Sequence, residues 1–365
     1  MLVEPIAAMC GDPALHVEVF DTATDALDSP PGDVVRGHLR GAAAAWTAVP
    51  RDLDVARDAV RGRRLHALVY PDVGMEPFTY LLAFARLAPV QAAWWGHPST
   101  TGLPHTVDYF FSLEDERQDA AVADYAEQLV RFDAVNSAPY RAQHAAKTTP
   151  LAEHGVALPE DEAHVFLVLG RLFKLHPRFD AIVGDLLAAD RSAVVLLVAE
   201  REPAWNAAAV ARITAALAAR GGLGAADVVA RVRLVDYWSY VHALGHAHVV
   251  LDTFPYGGCL TSLEALAHGK PIVTLPADGV RGRFTKALHR QLLGGAGGDA
   301  ARLVAADADD YVRIAVALGA NATFREAAGA EIRAAYAGLG RPEAVAREWA
   351  AALRRMAGGV ERVGD

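Results

Sequence analysis

The sequence predicts an α/β protein made of two doubly wound units, each with a parallel sheet covered by helices. Short β-branched apolar runs alternate with Ala-rich helical stretches along the chain. These runs are apolar at nearly every position, which is typical of strands buried on both faces of a parallel sheet. At 365 residues the chain also exceeds the size at which a single core usually stops growing, about 250–300 residues.

Composition narrows the functional classes. The chain is 53% hydrophobic and 22% charged, which indicates a globular protein and excludes wholesale disorder. Its formal net charge of −9 disfavours nucleic acid as the main partner, because a surface that follows phosphates needs an excess of Lys and Arg. With only Cys10 and Cys259, a disulfide scaffold is excluded and a reducing compartment is expected. The sequence shows neither a signal-peptide pattern nor an apolar run of bilayer length, so we expect a cytoplasmic location and no membrane partner.

The first half of the chain contains four predicted strands, at 16–20, 66–70, 90–95 and 107–112. It opens on a helix, whereas a doubly wound unit normally opens on a strand, so we expect this first unit, 1–140, to be incomplete. Periodicity is lost in 134–163, where Pro, Ser, Thr and charged residues gather, and this segment is expected to join the two units.

The second half is more regular and predicts a doubly wound unit at 141–340. Helices separate its predicted strands, which lie at 165–170, 193–199, 231–235, 248–252 and 271–276. The amphipathic stretch 342–360, within the C-terminal segment 341–365, predicts a helix that packs back across the two units. The acidic run at 307–310 raises the question of a metal site, but acids at a helix start interact with the positive end of the helix dipole, so capping is favoured.

The stretch "DTFPYGGCLTSLEALAHGKPIVTLP", 252–276, predicts a strand end, a Gly-rich loop, a helix and a further strand. Gly257 and Gly258 would let the backbone approach an anion closely, and Thr261 and Ser262 offer hydroxyls and free amides at the helix start. In open parallel sheets, ligands bind beyond the carboxyl ends of the strands. The loop therefore predicts a diphosphate-binding cradle, although it matches neither the Walker A nor the G-x-G-x-x-G pattern.

Glu264, three residues after Thr261, has two interpretations. Thr-x-x-Glu is a capping box, in which the glutamate accepts a hydrogen bond from the N-cap amide. Alternatively, its carboxylate accepts hydrogen bonds from a ribose diol, as acidic residues do near nucleotide sites. Spacing alone favours the cap.

Lys174 follows the strand at 165–170, at the same predicted sheet edge as the Gly-rich loop. A mobile ammonium there suits a pyrophosphate, although a lone lysine is more often a solvated surface residue. Because Lys174 and the Gly-rich loop share this edge, phosphate binding is favoured over a solvated surface role. Arg171 and Arg283 would add charge at this edge, but for each of them an ordinary surface ion pair is the favoured interpretation.

Two strand ends in the first half carry polar candidates. His97, in a polar loop after the strand at 90–95, is a candidate acid, base or phosphate contact, and a structural histidine is an equal alternative. Asp72 and Glu76 follow the strand at 66–70 and are candidates for activating an acceptor. The three histidines of "HALGHAHVV", at 242–250, lack the spacing of a metal site and are interpreted as structural.

Four stretches in consistent order, from about residue 15 to about 340, together resemble one known family: 70–112, "LFKLHPRFD" at 172–180, 251–276 and "RGRFTKALHR" at 281–290. They are similar to the catalytic region of the O-linked N-acetylglucosaminyltransferase/SPINDLY family. The resemblance implies a GT-B fold, in which two Rossmann-like lobes face each other over a cleft. It also implies a nucleotide-sugar donor, usually UDP-N-acetylglucosamine or, in the plant SPINDLY branch, GDP-fucose, and Ser or Thr of a protein or peptide as acceptor.

The resemblance assigns roles to individual positions. Lys174 matches the lysine that contacts the donor diphosphate, and Thr261 matches the threonine under the phosphates. Glu264 matches an acidic position that holds the ribose, which raises that interpretation above the cap. Arg283 matches a recurrent arginine without an assigned role, and the loop 96–98 matches the one that faces the donor sugar and the acceptor.

We therefore expect inverting, metal-independent glycosyl transfer with no cofactor. The candidate catalytic residues are Lys174, His97 and Asp72, the last two being candidates for the general base. The candidate donor-binding residues are Lys174, Arg171, Gly258, Cys259, Leu260, Thr261, Ser262, Glu264 and Arg283.

Several features depart from the family pattern. Cys259 and Leu260 remove a polar contact at the phosphate loop, and Arg171 stands where relatives usually carry a Gln or Ser-type residue. The family's first strand, its histidine-bearing loop and the N-terminal tetratricopeptide repeats would all lie before Met1, so either a fragment or an open reading frame started late is expected. Two alternatives to protein glycosylation remain open: a catalytically degenerate module that only binds a nucleotide sugar, and a GT-B enzyme with a lipid or small-molecule acceptor.

Overall fold

The computed structural model describes residues 3–22, 34–115, 124–134, 150–156, 163–219, 226, 230–294, 302–336, 338–339 and 342–358. The chain divides into two compact units. The first comprises Met1–Ala138 together with Gly340–Asp365, and the second comprises Pro139–Leu339. Most of the expected joining segment, 134–163, lies outside the described residues.

Helices and strands alternate along both units. The helices are α1 (Val3–Cys10), α2 (Val34–Ala42), α3 (Leu53–Arg61), α4 (Pro77–Leu82), α5 (Pro177–Ala189), α6 (Pro203–Ala218), α7 (Tyr240–His246), α8 (Leu260–Ala267), α9 (Phe284–Leu293), α10 (Ala308–Ala320), α11 (Ala322–Tyr336) and α12 (Pro342–Ala357). The strands are β1 (Glu18–Asp21), β2 (Ala45–Ala48), β3 (Ala67–Tyr70), β4 (Val90–Trp94), β5 (Tyr109–Leu113), β6 (Gln128–Phe132), β7 (His164–Val168), β8 (Ala193–Val198), β9 (Val232–Val235), β10 (Val249–Leu251) and β11 (Ile272–Val273).

Each strand predicted from the apolar runs overlaps an observed strand, and the structure adds β2 and β6. Neither of these two has the continuous apolar pattern of a strand covered on both faces. β2 is only half-buried along its length, and β6, an edge strand, carries exposed Gln128 and half-buried Arg131. A pattern search for fully buried strands therefore misses them.

The first unit contains a four-stranded parallel sheet in the order β3-β4-β5-β6, and a separate parallel pair, β1-β2. Every residue of β4 is buried, as the apolar run predicts. Helix α12 belongs to this unit: its buried Trp349 lies 5.2 Å from the ring of Phe111 and 6.1 Å from that of Phe132, between centroids. The amphipathic C-terminal helix is therefore confirmed, and its apolar face packs on the core of the first unit.

The second unit contains a five-stranded parallel sheet in the order β11-β10-β7-β8-β9. The chain runs outward from β7 through β8 to β9, then returns to β10 on the other side of β7. The strand order thus reverses between β7 and β10, and such a reversal opens a crevice at the carboxyl ends of the two strands. The loop that carries Lys174 and the Gly-rich loop leave these two neighbouring ends, which confirms the expected shared edge.

The acidic run at 307–310 caps helix α10. The carboxylate of Asp307 accepts a hydrogen bond from the Asp310 amide at 2.8 Å, and Asp310 accepts one from the Ala306 amide at 3.0 Å. The capping interpretation is confirmed. Within the described ranges, no group of three or more His, Cys, Asp or Glu side chains is arranged to hold a metal ion. Nor is any helix among them long and apolar enough to cross a membrane.

Candidate functional site

The Gly-rich loop that follows β10 is held in place by hydrogen bonds from inside the second unit. The carboxylate of buried Asp252 accepts one from the Gly258 amide at 2.6 Å and one from the Thr274 hydroxyl at 2.7 Å. On the other side of the loop, the Gly257 amide donates to the carbonyl of Arg281 at 3.0 Å. The loop is therefore a fixed structure anchored at its base and at its outer edge.

Gly258 is required by close packing within the loop. A Cβ atom at this position would overlap the hydroxyl of Ser262 and would lie 2.9 Å from Oγ1 of Thr261. A Cβ at Gly257 would lie 3.0 Å from the Asp252 carboxylate. The sequence predicts that these glycines let the backbone approach an anion, and the structure adds a second reason for them. The backbone here also runs against the first turn of α8 and against the buried acid.

Helix α8 begins with free backbone donors. Cys259 is its N-cap and makes no side-chain capping hydrogen bond. In the described part of the chain, no group accepts a hydrogen bond from the amides of Leu260, Thr261 or Ser262, or contacts the Thr261 hydroxyl as a hydrogen-bond partner. Three free amides at the positive end of a helix favour an anion. Since burial raises the pKa of the Cys259 thiol to about 12, that side chain adds no negative charge at neutral pH.

The capping-box interpretation of Thr261 and Glu264 is wrong. The helix starts at Leu260, so Thr261 already lies within the first turn and is not the N-cap. Glu264 is 6% exposed, and both of its carboxylate oxygens lie 2.8 Å from the hydroxyl of Tyr240. Its side chain therefore faces α7 rather than its own helix start. The ribose role of Glu264 stays a prediction.

The hydroxyl of Ser262, expected from the sequence to be available to a phosphate, has a partner inside the protein. This hydroxyl is buried and lies 2.9 Å from the hydroxyl of Thr285 at the start of α9. The side chain therefore joins two helices inside the unit, and only the Ser262 amide is left for a ligand.

Lys174 lies over the Gly-rich loop. It ends a short 3-10 turn that follows β7, and its Nζ is 4.3 Å from the centroid of the Tyr256 ring. The two loops contact each other directly, because a Cβ at Gly170 would lie 2.6 Å from Cγ2 of Thr253. Burial lowers the pKa of Lys174, the nearby Cys259 thiol opposes this shift, and the charge of Arg171 adds to it. Among the described residues, no carboxylate or carbonyl pairs with this ammonium, and a half-buried cation without an acceptor is suited to an anionic ligand.

The two arginines at this edge have internal partners. Arg171 forms a two-point ion pair with the buried carboxylate of Glu200, with Nε 2.7 Å from Oε1, and its guanidinium lies between the rings of Phe173 and Tyr237. Nε of Arg283 donates to the carbonyl of Ala277 at 2.7 Å. The ion-pair interpretation therefore holds for Arg171, although its partner is buried, and the bond of Arg283 is to the backbone. Donor binding by either residue stays a prediction.

In the first unit the structure brings the loops of Asp72 and His97 together. A Cβ at Gly74 would lie 2.5 Å from Nδ1 of His97, and one at Gly96 would overlap the carbonyl of Pro71. Burial raises the pKa of Asp72, against an opposing hydrogen bond from the Thr79 hydroxyl. A partly buried carboxylate with a raised pKa is a candidate proton acceptor. Catalytic roles for Asp72 and His97 stay predictions.

Other polar residues of the first unit have structural roles. Glu76 is the N-cap of α4, accepting the Thr79 amide at 2.8 Å, and it pairs with Arg51 at 2.6 Å. The hydroxyl of Thr100 donates to buried Glu127 at 2.7 Å, and the Thr101 amide does so at 2.8 Å. The polar loop after β4 is thus tied to the start of β6, which explains its composition without a ligand.

The histidines near β10 are consistent with the structural interpretation. Nδ1 of His248 accepts the Val165 amide at 3.0 Å, and burial lowers the pKa of His248 to about 4. This histidine is therefore neutral at physiological pH and joins β7 to the segment before β10.

Three residues that shape the site were missed by sequence reasoning: Asp252, Glu200 and Tyr240. Asp252 and Glu200 each stand just after a buried strand, and that position is a signal that could have drawn attention to them. Tyr240 lies in "DYWSY", at 236–240, which carries no comparable signal.

Comparison with known proteins agrees with this geometry. The family model described as glycosyl transferase family 41 matches residues 141–338, essentially the second unit. Two similar plant proteins are each named as a probable UDP-N-acetylglucosamine–peptide N-acetylglucosaminyltransferase SPINDLY. The one from Eustoma exaltatum subsp. russellianum is 28% identical over 244 residues, covering 65% of this chain and 24% of its own length. The one from Oryza sativa subsp. japonica is 29% identical over 266 residues, covering 70% and 25%. The chain thus spans about a quarter of the length of these relatives.

Solved structures show the fold. An O-GlcNAc transferase from Thermobaculum terrenum aligns with a TM-score of 0.73 and 27% identity over 98% of this chain and 64% of its own. A sucrose-phosphate synthase from Thermosynechococcus elongatus aligns with a TM-score of 0.53 and 15% identity over 98% of this chain and 92% of its own, which bears on the fold alone. Both support the predicted GT-B fold with two Rossmann-like lobes. Since the family model covers more than half of the sequence, the chain belongs to glycosyl transferase family 41.

Proposed function

We propose that this chain is the catalytic part of an inverting glycosyltransferase that moves a sugar from a nucleoside-diphosphate donor to Ser or Thr hydroxyls of a protein. One observation carries the proposal: the ammonium of Lys174, which has no carboxylate or carbonyl partner among the described residues, and the amides at the start of α8, from which none of those residues accepts a hydrogen bond, belong to adjacent loops at the strand-order reversal. Family membership supports a glycosyl donor. The names of the plant and bacterial relatives support UDP-N-acetylglucosamine and a peptide acceptor as the first choices.

In the proposed reaction the leaving nucleoside diphosphate gains negative charge as the bond to the sugar breaks. Lys174 and the amides of Leu260–Ser262 would stabilise that charge more in the transition state than in the ground state. Because these groups are partly withdrawn from water, each interaction is stronger than it would be at an exposed surface. The proposal includes no metal, since the ammonium and the helix terminus supply the positive charge.

The acceptor hydroxyl must lose a proton as it attacks the sugar carbon in line, which inverts that carbon. Asp72 and His97, from the first unit, are the proposed candidates for receiving this proton. The raised pKa of Asp72 brings it closer to the working pH, where a general base is most effective.

Nucleotide binding tests the proposal first. We expect at least one of UDP, GDP, UDP-N-acetylglucosamine and GDP-fucose to raise the melting temperature, with a stabilisation of about 2.7 kcal/mol at a hundredfold excess over Kd. Lys174→Ala should abolish this shift. Arg191→Ala is the matched control, because it removes one exposed cation just before β8, at the opposite edge of the sheet. If none of the four ligands shifts the wild-type protein, the proposed donor site is wrong.

Transfer of a labelled sugar to a mixture of Ser- and Thr-containing peptides tests the second half of the proposal. Binding with transfer to peptides supports protein glycosylation. Binding without transfer to any acceptor would favour a degenerate nucleotide-sugar-binding module, which the apolar pair Cys259 and Leu260 at the phosphate loop also favours. Transfer only to lipid or small-molecule acceptors would favour a GT-B enzyme of another kind.

A further inference from the structure

Asp252 is a buried acid at the centre of the second unit, directly after β10. It is 6% exposed, and its carboxylate accepts hydrogen bonds from the Gly258 amide and the Thr274 hydroxyl. Burial raises the pKa of Asp252, and the nearby hydroxyl of Thr285 is among the groups that oppose this shift. No lysine or arginine within the described ranges pairs with this carboxylate. Burying a carboxylate without a counter-cation lowers the stability of the folded state. We therefore looked for a function that the position of Asp252 would serve.

The side-chain partners of Asp252 lie on three segments of the second unit around the Gly-rich loop. Gly258 belongs to the Gly-rich loop, Thr274 lies just after β11, and Thr285 lies in the first turn of α9. Thr285 in turn meets the buried hydroxyl of Ser262, in the first turn of α8, at 2.9 Å. The chain Ser262–Thr285–Asp252–Gly258 therefore joins both sides of the N-cap residue of α8.

We propose that Asp252 is a positioning residue for donor binding, whose carboxylate fixes the Gly-rich loop and the free amides of α8 in the geometry that a diphosphate requires. The inference rests on the proposed function, because the ligand that it serves is the proposed nucleoside diphosphate. Asp252 does not touch that ligand. It acts through Gly258 on one side and through Thr285 and Ser262 on the other, so the first turn of α8 cannot shift without breaking buried hydrogen bonds. Small displacements of binding groups are costly, since productive sites are held to within about 0.5 Å.

Two substitutions test whether the oxygen acceptor of Asp252 is what positions the loop: Asp252→Asn keeps it and Asp252→Ala removes it. Asp252→Asn keeps an oxygen acceptor for the Gly258 amide, and its NH2 group can donate to a threonine hydroxyl, which is able to rotate. Asp252→Ala leaves the Gly258 amide without an acceptor. We expect Asp252→Ala to weaken binding of the nucleoside diphosphate by about tenfold or more, and Asp252→Asn to recover most of the loss.

Tyr311→Phe is the matched structural control. The buried hydroxyl of Tyr311 donates to the backbone carbonyl of Asp252 at 2.9 Å, so its loss removes a buried hydrogen bond at the same residue without touching the carboxylate. It should lower the melting temperature and leave nucleotide affinity within about twofold of wild type. Affinities for UDP and GDP are measured by titration calorimetry well below the melting temperature of each variant, so that loss of folded protein does not enter the comparison.

The outcomes are distinct. If wild type binds UDP or GDP and Asp252→Ala binds that ligand equally well, the inference is overturned and the proposed function stands. If wild type binds neither, the proposed function fails and the inference fails with it. If Asp252→Ala does not fold, Thr285→Val decides, because it breaks only the link from Asp252 to Ser262. A weakened affinity supports the inference, and an unchanged one overturns it.

Discussion

The hydroxyl of Tyr240 donates to the carboxylate of Glu264, at 2.8 Å from each oxygen. The pair joins α7 to α8 and fixes the direction of an acid that lies one turn beyond the free amides of α8. Tyr240 therefore orients the Glu264 carboxylate in the structure, one turn after the start of α8.

If Glu264 holds the ribose, replacing it should affect nucleotides and spare pyrophosphate. We expect Glu264→Gln to weaken UDP binding by about tenfold, the value of one hydrogen bond to a charged group, and to leave pyrophosphate binding unchanged. Lys174→Ala should weaken both ligands, since it removes a phosphate contact. Titration calorimetry with UDP and with pyrophosphate checks the pattern. Equal losses for both ligands in Glu264→Gln would exclude the ribose role.

A methyl group at Gly258 should damage the cradle. Gly258→Ala places a Cβ against the hydroxyls of Ser262 and Thr261, so the loop and the first turn of α8 must separate. We expect nucleotide affinity to fall by at least about tenfold and the melting temperature to fall. Gly37→Ala is the control: this glycine lies in α2 with open space around its Cβ position, so alanine should stabilise that helix by about 0.5–1 kcal/mol. Unchanged affinity in Gly258→Ala would show that the loop tolerates the movement.

Glycosyl transfer should be independent of divalent metal ions. In the proposed donor site, Lys174 and the amides of α8 would supply the positive charge that a metal would otherwise provide at a diphosphate. Activity measured with and without excess EDTA should agree within error. A loss that Mg²⁺ or Mn²⁺ restores would overturn this expectation and the proposed role of the helix terminus with it.

Burial of His289 should make stability depend on pH. His289 is 2% exposed, its Nε2 lies 2.9 Å from the carbonyl of Ile272, and burial lowers its pKa to about 4. At pH values between about 6.5, the ordinary pKa of histidine, and about 4, this histidine binds a proton in the unfolded chain but not in the folded chain. The free energy of unfolding therefore falls as pH falls through that window, by about 1.5 kcal/mol from pH 6.5 to pH 5 for this residue.

His289→Gln should flatten this dependence, because an amide does not titrate. Denaturant unfolding of both proteins at pH 7 and pH 5 measures the difference, which should be smaller in the variant. Buried His248, whose pKa is also about 4, contributes in the same direction and remains in both proteins, so it cancels in the comparison. Identical pH dependence in the two proteins would show that His289 is protonated in the folded state.

Trp349 should be essential to the first unit. It is 4% exposed and packs against Phe111 and Phe132, so Trp349→Ala leaves a large cavity. We expect a loss of about 3–5 kcal/mol in the free energy of unfolding of this unit. Nucleotide affinity should persist under conditions where the variant is folded, because the donor groups lie in the second unit. Unchanged stability would mean that α12 does not contribute to the core as the structure shows it.

The sequence by itself determined the architecture and the location of the candidate site. Near-continuous apolar runs predicted the parallel strands, because burial on both faces leaves a pattern that needs no knowledge of neighbours. Lys174 and the Gly-rich loop were placed at one sheet edge by the same logic, and the strand order β10-β7 confirmed it. The edge strand β6 was missed because its exposed Gln128 and half-buried Arg131 interrupt the apolar pattern, whereas the edge strands β3, β9 and β11 were predicted.

Only the tertiary structure decided where the polar side chains point. Ser262 turns inward to Thr285, 23 positions away, and Glu264 turns to Tyr240, 24 positions away, so neither direction is encoded in local spacing. The same holds for Asp252, whose role depends on Gly258, six residues on, and Thr274, 22 residues on. Hydrophobic periodicity is a property of each segment, whereas a buried polar group must find its partner wherever the fold brings one within hydrogen-bond distance. The position of the Gly-rich loop at a sheet edge could therefore be predicted from the sequence, whereas the hydrogen-bond partners of Asp252 could be identified only in the folded structure.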